Sequence, residues 1–259
     1  MERPKYLEYR YRRDQISRYS ITREVSVALE KPAAAILRMV GKKRSEKREV
    51  WNETWTMELR VSDVRPDYSA LVKTQVTDAV RTAKGEPVGY ENGDPRNEFL
   101  NETVDQFGGL KEHAGTLPTP HLLLFPEEPQ VTGSEWQKSR VEHIQTYSPQ
   151  GQTLGNAAVT VNYRCRLERF AEDEGGIEFA EITFSGTGGL GQDSTPGYHS
   201  CEVSGTARFA IRDGYILSAE VERVVSAHLD EKQILRTRAK ELFHHLSEGR
   251  EQAVGGMRL

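Results

Sequence analysis

The feature that most constrains this chain is an alternation of apolar and polar residues with a period of two. It is clearest between Trp51 and Val61, where large apolar side chains occupy odd-numbered positions and most of the polar side chains occupy even-numbered ones. Successive side chains of a β-strand point to opposite faces of the sheet, so this pattern is typical of half-buried antiparallel strands. It favours a sheet with one face toward a core and the other toward solvent.

The same alternation recurs along most of the chain, interrupted by short turn sequences. It occupies 19–29 and 70–76 in the first half of the chain, and 159–167, 201–211 and 217–225 in the second. Proline, aspartate and glycine supply turn geometry, and they predict turns at 64–68, 172–176 and 212–214. Two antiparallel meanders are therefore predicted, over 5–81 and 158–228.

Residues 82–157, between the two meanders, lack this regularity and are predicted to form an irregular cover. Within them, the apolar segment 117–126 contains several prolines, which remove ladder hydrogen bonds and exclude a central strand there. We expect this segment to lie extended over a sheet edge or a barrel mouth. Residues 99–110 are expected to form a short helix or to cover the core.

The last predicted element, 230–247, is interpreted as a terminal helix. Its apolar residues fall on one arc of a helical wheel, acidic Asp230 and Glu231 open the segment, and Gly249 follows it. A final β-strand is the alternative, because the preceding strand ends in a polar, turn-like sequence at 230–233.

These patterns predict a mainly β fold, a long curved antiparallel sheet that forms a half-barrel or open barrel, with a C-terminal α-helix. A chain of 259 residues is long enough to build one large β domain around a substantial core. We therefore interpret residues 1–259 as a single domain.

Charge and hydropathy exclude two classes of partner. Lys and Arg number 35 and Asp and Glu number 39, a net charge of −4, whereas general nucleic-acid binding needs a basic excess. The sequence has no apolar run long enough to span a membrane and no apolar signal core near its first residue. As written, the sequence predicts a cytoplasmic protein, with the envelope as the alternative if the start is processed or misassigned.

The cysteines and histidines do not indicate a metal or cofactor site. Cys165 and Cys201 occupy inward positions of predicted strands, and we interpret them as buried thiols, with a single disulfide between them as the alternative. The seven histidines show none of the spacings that bring two metal ligands together on one helix or strand. No cofactor and no metal is predicted.

Two further motifs resemble anion-binding elements but favour a simpler interpretation. The glycine-rich stretch 186–191 is not followed by the amphipathic helix of a phosphate-binding loop, so it is interpreted as a long strand connection. The basic cluster 41–48 lies between two predicted β elements and is interpreted as a solvated connection. Most carboxylates are expected on outward faces or in turns, and no catalytic residue is assigned.

The candidate binding residues are large apolar side chains. A ligand platform would combine the three tryptophans with the proline-bracketed segment, namely Trp51, Trp55, Leu123, Phe125 and Trp136. A partner-binding face would use the apolar side of the predicted terminal helix, namely Leu235, Leu242, Phe243 and Leu246.

The order of several motifs resembles a known class of proteins. The motifs are Val61-Ser-Asp-Val64-Arg-Pro-Asp67, the stretch from Leu124 to Trp136, the strand around Tyr163, and the stretch from Gly205 to Ser218. Together they resemble uncharacterised bacterial envelope and lipoprotein-like β-meander proteins, which are broadly similar to the half-barrels of lipoprotein carriers. The resemblance covers residues 5–228, implies a long, strongly curved antiparallel sheet, and supplies no catalytic residues.

The function expected from these features is a non-catalytic binding or scaffold module, an accessory subunit of a larger assembly with another protein chain as its partner. One alternative is a carrier that holds a lipid or another apolar small molecule in the concave face of the sheet. That alternative requires an apolar cavity, and a core filled by Trp51, Trp55 and Phe209 would contradict it. A hydrolase with dispersed acidic residues is the other alternative.

Overall fold

The alternating segments form long β-strands. A computed structural model describes residues 3–29, 49–90, 94–115, 117, 120–147, 153–190, 197–229 and 232–246. The strands are β1 Ile16–Leu29, β2 Glu49–Val64, β3 Ala70–Ala83, β4 Glu86–Pro87, β5 Phe99–Val104, β6 Leu110–Gly115, β7 Glu135–Tyr147, β8 Thr153–Glu172, β9 Glu178–Leu190, β10 Gly197–Ala210, β11 Tyr215–Leu229 and β12 Lys232–Leu246. A 3₁₀ turn, Pro95–Asn97, precedes β5.

All twelve strands belong to one sheet with the order β6-β5-β3-β2-β1-β12-β11-β10-β9-β8-β7, and β4 pairs with the end of β3. Every pairing is antiparallel, and most join strands that are consecutive in the sequence. The sheet curls until it is nearly a closed barrel, with β7 approaching β11 across the interior. The prediction of a long curved antiparallel sheet is confirmed.

The inward face of the sheet carries the core. On β1 the side chains of Tyr19, Ile21, Val25 and Val27 are buried, and the residues between them are mostly exposed or half-buried. On β8, β9 and β10, every second side chain is likewise buried. Burial of every second side chain fixes the register of each strand, because a slip by one residue would turn the apolar side chains toward solvent.

Two extended segments that belong to no strand fill the barrel interior at one end. Residues 3–15 run antiparallel to residues 120–131, with a β-bridge between Lys5 and Gln130. The Leu123 backbone N–H donates to the Tyr9 hydroxyl at 3.2 Å, and the Phe125 N–H donates to the Phe107 carbonyl at 2.8 Å. Residues 120–126 of the proline-bracketed segment are buried and belong to no strand, which agrees with the expected cover.

The predicted C-terminal helix is wrong, because residues 232–246 form β12. This strand pairs with β1 on one side and with β11 on the other. Leu235, Ala239 and Phe243 point inward at a spacing that satisfies a strand as well as a helical arc. Two flanking ladders satisfy the backbone groups of β12, and this tertiary pairing overrides the helical propensity of the segment.

Two further expectations are corrected in the middle of the chain. The region 82–157, expected to be irregular, contains β4, β5, β6, β7 and the start of β8, and residues 99–104 form a strand rather than a short helix. The stretch Gly186–Leu190 belongs to β9. A Cβ at Gly188 would lie 2.4 Å from the Thr160 carbonyl oxygen, so glycine is required there by a close strand neighbour.

Several other expectations concern the cysteines, the membrane and the long connections. Cys165 and Cys201 are buried and unbonded, so the alternative of a disulfide is not realised. Within the described ranges, no helix has the length and apolar character needed to cross a membrane. The basic cluster 41–48 and residues 191–196 lie outside the described residues.

Candidate functional site

The N-terminal segment is fixed across the end of the barrel where the β2–β3, β5–β6 and β10–β11 turns lie. The Tyr9 N–H donates to the Gln106 carbonyl at 2.7 Å, and the Arg10 N–H donates to the Gly214 carbonyl at 3.2 Å. The Arg10 guanidinium also donates to the Arg212 carbonyl at 2.9 Å. These bonds attach residues 8–12 to two turns that are distant in sequence.

A cavity of about 880 Å³ lies at this end of the barrel, and we call it the rim pocket. Its wall combines arginines from the N-terminal segment and the β10–β11 turn with tyrosines from three elements, namely Arg10, Arg12, Arg212, Tyr11, Tyr68 and Tyr215. Glu8, Gln15, Gln106 and Asp213 also line it. The pocket is therefore a polar, aromatic site open to solvent.

The charges of the rim pocket are only partly neutralised from within the protein. Arg10 pairs with Glu8, with its Nε 3.2 Å from a carboxylate oxygen. Arg12 and Arg212 are exposed, and in the described part of the chain their guanidinium groups enter no ion pair. Two cationic groups with a bidentate donor geometry are thus available to an anion.

Tyr68 stands at the rim in an unusual backbone conformation. Its φ is +61°, a value that is rare for a bulky residue, and its side chain is 68% exposed. The turn is held by Asp67, which accepts hydrogen bonds from the Ser69 hydroxyl and from Lys111, each at 2.6 Å. Those bonds hold the pKa of the Asp67 carboxyl below its usual range. A strained, exposed aromatic side chain beside free arginines is typical of a binding surface.

A second, narrower cavity of about 30 Å³ adjoins the rim pocket, and we call it the inner chamber. Tyr9, Tyr11 and Tyr215 line both cavities, and Tyr19 and His121 line only the chamber. The imidazole of His121 lies edge-on to the Tyr9 and Tyr11 rings, with centroids 5.3 and 5.9 Å away. The chamber has room for about one water-sized group.

Behind the inner chamber, two buried groups form an acid–imidazole pair. The Nδ1 atom of His121 lies 3.2 Å from a carboxylate oxygen of Glu102, whose side chain is fully buried. Carboxylates of this kind orient an imidazole ring and fix its tautomer. The pair therefore holds one wall of the inner chamber in place.

A chain of buried and half-buried charges crosses the barrel interior farther from the rim, and we call it the charged belt. It comprises four arginines and three glutamates that face inward, namely Arg23, Arg81, Arg140, Arg223, Glu53, Glu142 and Glu241. Glu53 pairs with Arg23 at 3.1 Å and with Arg81 at 2.6 Å. Glu241 joins Arg23 at 2.9 Å and Arg223 at 3.0 Å. The belt separates the large core cluster from a smaller one around Val27 and Trp51.

The other end of the belt lies on β7 and β8. Glu142 pairs with Arg140 and accepts a hydrogen bond from the Tyr163 hydroxyl at 2.7 Å. Burial alone would raise the pKa of Glu142, but Arg140, Arg223 and the Tyr163 hydroxyl hold it below its usual value. The surrounding cations and the Tyr163 hydroxyl therefore favour the ionised carboxylate, as in an ion-pair network.

Sequence reasoning did not find the rim pocket, the inner chamber or the charged belt. The expectation that carboxylates lie on outward faces is wrong for Glu53, Glu102, Glu142 and Glu241, whose side chains are buried. The sequence could have indicated that Arg23 and Glu53 face inward, because each falls in the same alternating series as the apolar residues of its strand. The rim pocket gave no comparable signal, because its wall comes from separate turns.

The predicted ligand platform is dispersed in the core. The Arg23 guanidinium carbon lies 4.6 Å from the centroid of the Trp55 ring, and Trp51 lies in the smaller core cluster. Leu123, Phe125 and Trp136 do come together, since the Trp136 indole N–H donates to the Leu124 carbonyl at 2.6 Å. All five side chains are buried, and none of them lines the rim pocket or the inner chamber.

The predicted partner-binding face does not exist as one surface. Leu235 and Phe243 point into the barrel and are 5% and 3% exposed, whereas Leu242 points outward and is 42% exposed. Leu246 is half-buried at the end of β12. A strand places alternate residues on opposite faces, so a helical arc of leucines and phenylalanine is split between them.

No protein-family model matches the chain, and no curated protein is significantly similar to it. The resemblance to envelope β-meander proteins therefore stays a prediction. Across the described residues, no group of three or more His, Cys, Asp and Glu side chains could hold a metal ion. What the rim pocket can do chemically follows from its arginines and tyrosines, which bind anions and flat rings.

Proposed function

We propose that this protein is a non-catalytic binding module that holds a small, flat anion in the rim pocket. The observation that carries the proposal is that Arg12 and Arg212, free of ion pairs to the described residues, line the same cavity. A guanidinium offers paired donors that match a carboxylate or phosphate. An anion would therefore supply the partner that these two side chains lack within the described chain.

The size and aromatic character of the rim pocket support a small molecule as the ligand. Its volume of about 880 Å³ lies within the range of about 300 to 1,000 Å³ that small-molecule sites occupy. Tyr11, Tyr68 and Tyr215 present rings on which a planar ligand can stack. The ligand class is thus a compact anion that carries an aromatic or otherwise planar group.

A carrier of lipid or another apolar ligand is less well supported. The concave face is packed with side chains of this chain, and the Phe125 and Phe209 rings lie with centroids 4.6 Å apart. Trp51, Trp55 and Phe209 are all buried there. The role of accessory subunit in a larger assembly stays a prediction.

Benzoate and its uncharged counterpart benzamide test the proposal in an NMR chemical-shift titration. We expect benzoate to bind at the rim pocket, shifting amides of residues 8–12 and 212–215, and benzamide to bind at least about tenfold more weakly. The double variant Arg12→Gln/Arg212→Gln should weaken benzoate binding at least about tenfold, because each arginine contributes charge-assisted hydrogen bonds.

The matched control is Arg164→Gln/Arg236→Gln. Both control arginines are exposed on strands away from the pocket, and the double variant changes the net charge by the same amount. It should bind benzoate as the wild type does. Equal affinity for benzoate and benzamide, or equal weakening by both double variants, would contradict an anion site at the rim pocket.

A further inference from the structure

A residue that lines the inner chamber, Tyr11, carries a hydroxyl group with no partner among the described residues. The Tyr11 hydroxyl oxygen is buried, and among the described residues it has no hydrogen-bond partner. A buried hydroxyl without a partner costs free energy, and native proteins usually satisfy such groups. Tyr11 lines both the rim pocket and the inner chamber, so a ligand in the first can extend toward the second.

Two other tyrosines of the chamber, Tyr9 and Tyr19, are already engaged. The Tyr9 hydroxyl accepts a hydrogen bond from the Leu123 N–H at 3.2 Å, and the Tyr19 hydroxyl bonds to the backbone of Ile216. Tyr11 therefore differs from both of them in offering a free donor and acceptor. Its hydroxyl stays protonated, because burial raises its pKa well above the usual tyrosine value.

We propose that the inner chamber is a specificity subsite, in which the Tyr11 hydroxyl bonds a neutral hydroxyl at the end of the ligand opposite its anionic group. This inference rests on the proposed function, since Arg12 and Arg212 would hold the anionic end. The ligand class is then a hydroxylated aromatic carboxylate or a molecule of the same chemistry. The chamber volume of about 30 Å³ admits one such hydroxyl and excludes a bulkier substituent.

The test compares benzoate with 4-hydroxybenzoate, which differs only by the hydroxyl at the far end of the ring. In the wild type, 4-hydroxybenzoate should bind about three- to tenfold more tightly than benzoate, the gain of one buried hydrogen bond. In Tyr11→Phe this ratio should fall to about one, because the variant keeps the ring but lacks the hydroxyl that bonds the ligand. Tyr6→Phe, at an exposed tyrosine that lines neither cavity, is the matched control and should keep the wild-type ratio.

The melting temperature of Tyr11→Phe gives a second, independent readout. Removing a buried, unpartnered hydroxyl is neutral or stabilising, so the ligand-free variant should melt at the wild-type temperature or above it. A lower melting temperature would mean that Tyr11 already has a structural partner, and would overturn the subsite.

The two proposals fail in distinguishable ways. If benzoate binds through Arg12 and Arg212 but 4-hydroxybenzoate binds no better, or if Tyr11→Phe keeps the hydroxyl preference, the inner chamber is not the subsite and the rim pocket stands. If neither compound binds at millimolar concentrations, the rim pocket itself is not an anion site and both proposals are wrong.

Discussion

Gly214 lies in direct contact with Arg10, and no other residue type fits there. The Gly214 carbonyl accepts a hydrogen bond from the Arg10 N–H at 3.2 Å, and a Cβ on Gly214 would approach that nitrogen to 2.4 Å. The φ of Gly214 is +69°, in the left-handed region that favours glycine. The β10–β11 turn thereby holds the N-terminal segment that carries Tyr11 and Arg12 into the rim pocket.

Gly214→Ala should therefore damage both stability and the rim pocket. We expect a loss of about 1 to 3 kcal/mol in the free energy of unfolding, from backbone strain and displacement of Arg10. Benzoate binding should weaken at the same time. Denaturant unfolding and the NMR titration measure the two effects.

Gly85→Ala separates strain from crowding. Gly85 also has a positive φ, +82°, but a Cβ there would meet no atom within 4 Å. This variant should lose only the strain contribution and should bind benzoate normally. A Gly214→Ala variant as stable as Gly85→Ala would show that the N-terminal segment is not held by this contact.

The charged belt should be sensitive to the loss of a single carboxylate. Glu241→Gln leaves Arg23 and Arg223 buried without their shared anion and should cost about 3 to 5 kcal/mol in the free energy of unfolding. The control is Glu222→Gln, which breaks a pair with Arg238 on the outer face and should cost at most about 1 kcal/mol. Equal, small losses in urea unfolding would contradict an energetically coupled belt.

His245 should make the protein less stable in mild acid. Its ring stacks on Tyr215 with centroids 4.2 Å apart, and burial lowers its pKa from 6.5. The folded state then binds fewer protons than the unfolded state, so the free energy of unfolding falls as the pH decreases through 6.5.

The slope of melting temperature against pH measures this effect. His245→Gln should flatten the slope between about pH 7 and pH 5, whatever its effect on stability at neutral pH. His244→Gln, at an exposed neighbouring position, should leave the slope unchanged. Part of the slope remains in both variants, because burial also lowers the pKa of His228. Parallel slopes for wild type and His245→Gln would contradict the prediction.

The two cysteines should not react in the folded protein. Burial raises the pKa of the Cys165 thiol to about 12 and that of Cys201 to about 11, so little thiolate forms and access is blocked. Ellman's reagent at mildly alkaline pH should detect no thiol before denaturation and both thiols after it. Fast labelling of either cysteine in the native protein would mean that the barrel opens there.

The sequence predicted the sheet because the alternation of apolar and polar side chains is a local property of each strand. Alternation along β2 or β8 appears within a few residues, and the turns at 64–68, 172–176 and 212–214 follow from their proline, aspartate and glycine. The terminal segment failed for a related reason, since the spacing of Leu235, Ala239 and Phe243 fits a helical arc and one face of a strand equally well. Only the ladders with β1 and β11 decide between them.

The candidate site was less accessible to sequence reasoning because it is made by tertiary contacts. Arg12 and Arg212 line the same pocket only because the N-terminal segment crosses the β10–β11 turn. The inward position of Glu53 could have been predicted, because it falls between Trp51 and Trp55 in the same alternating series. A buried carboxylate in turn implies a buried cation beside it. Its partners Arg23 and Arg81 lie on β1 and β3, the two strands that flank β2.

The pairing of β1 with β12 also sets the order in which the barrel can assemble. β1 leaves the ribosome long before β12, and the ladder between them joins Arg18 to Leu246 and Leu29 to Leu235. Most of the chain must leave the ribosome before this seam can form, and such long-range pairing is slow. Until then β1 has one edge open, so nascent chains stalled before residue 232 should depend on chaperones that shield exposed strands.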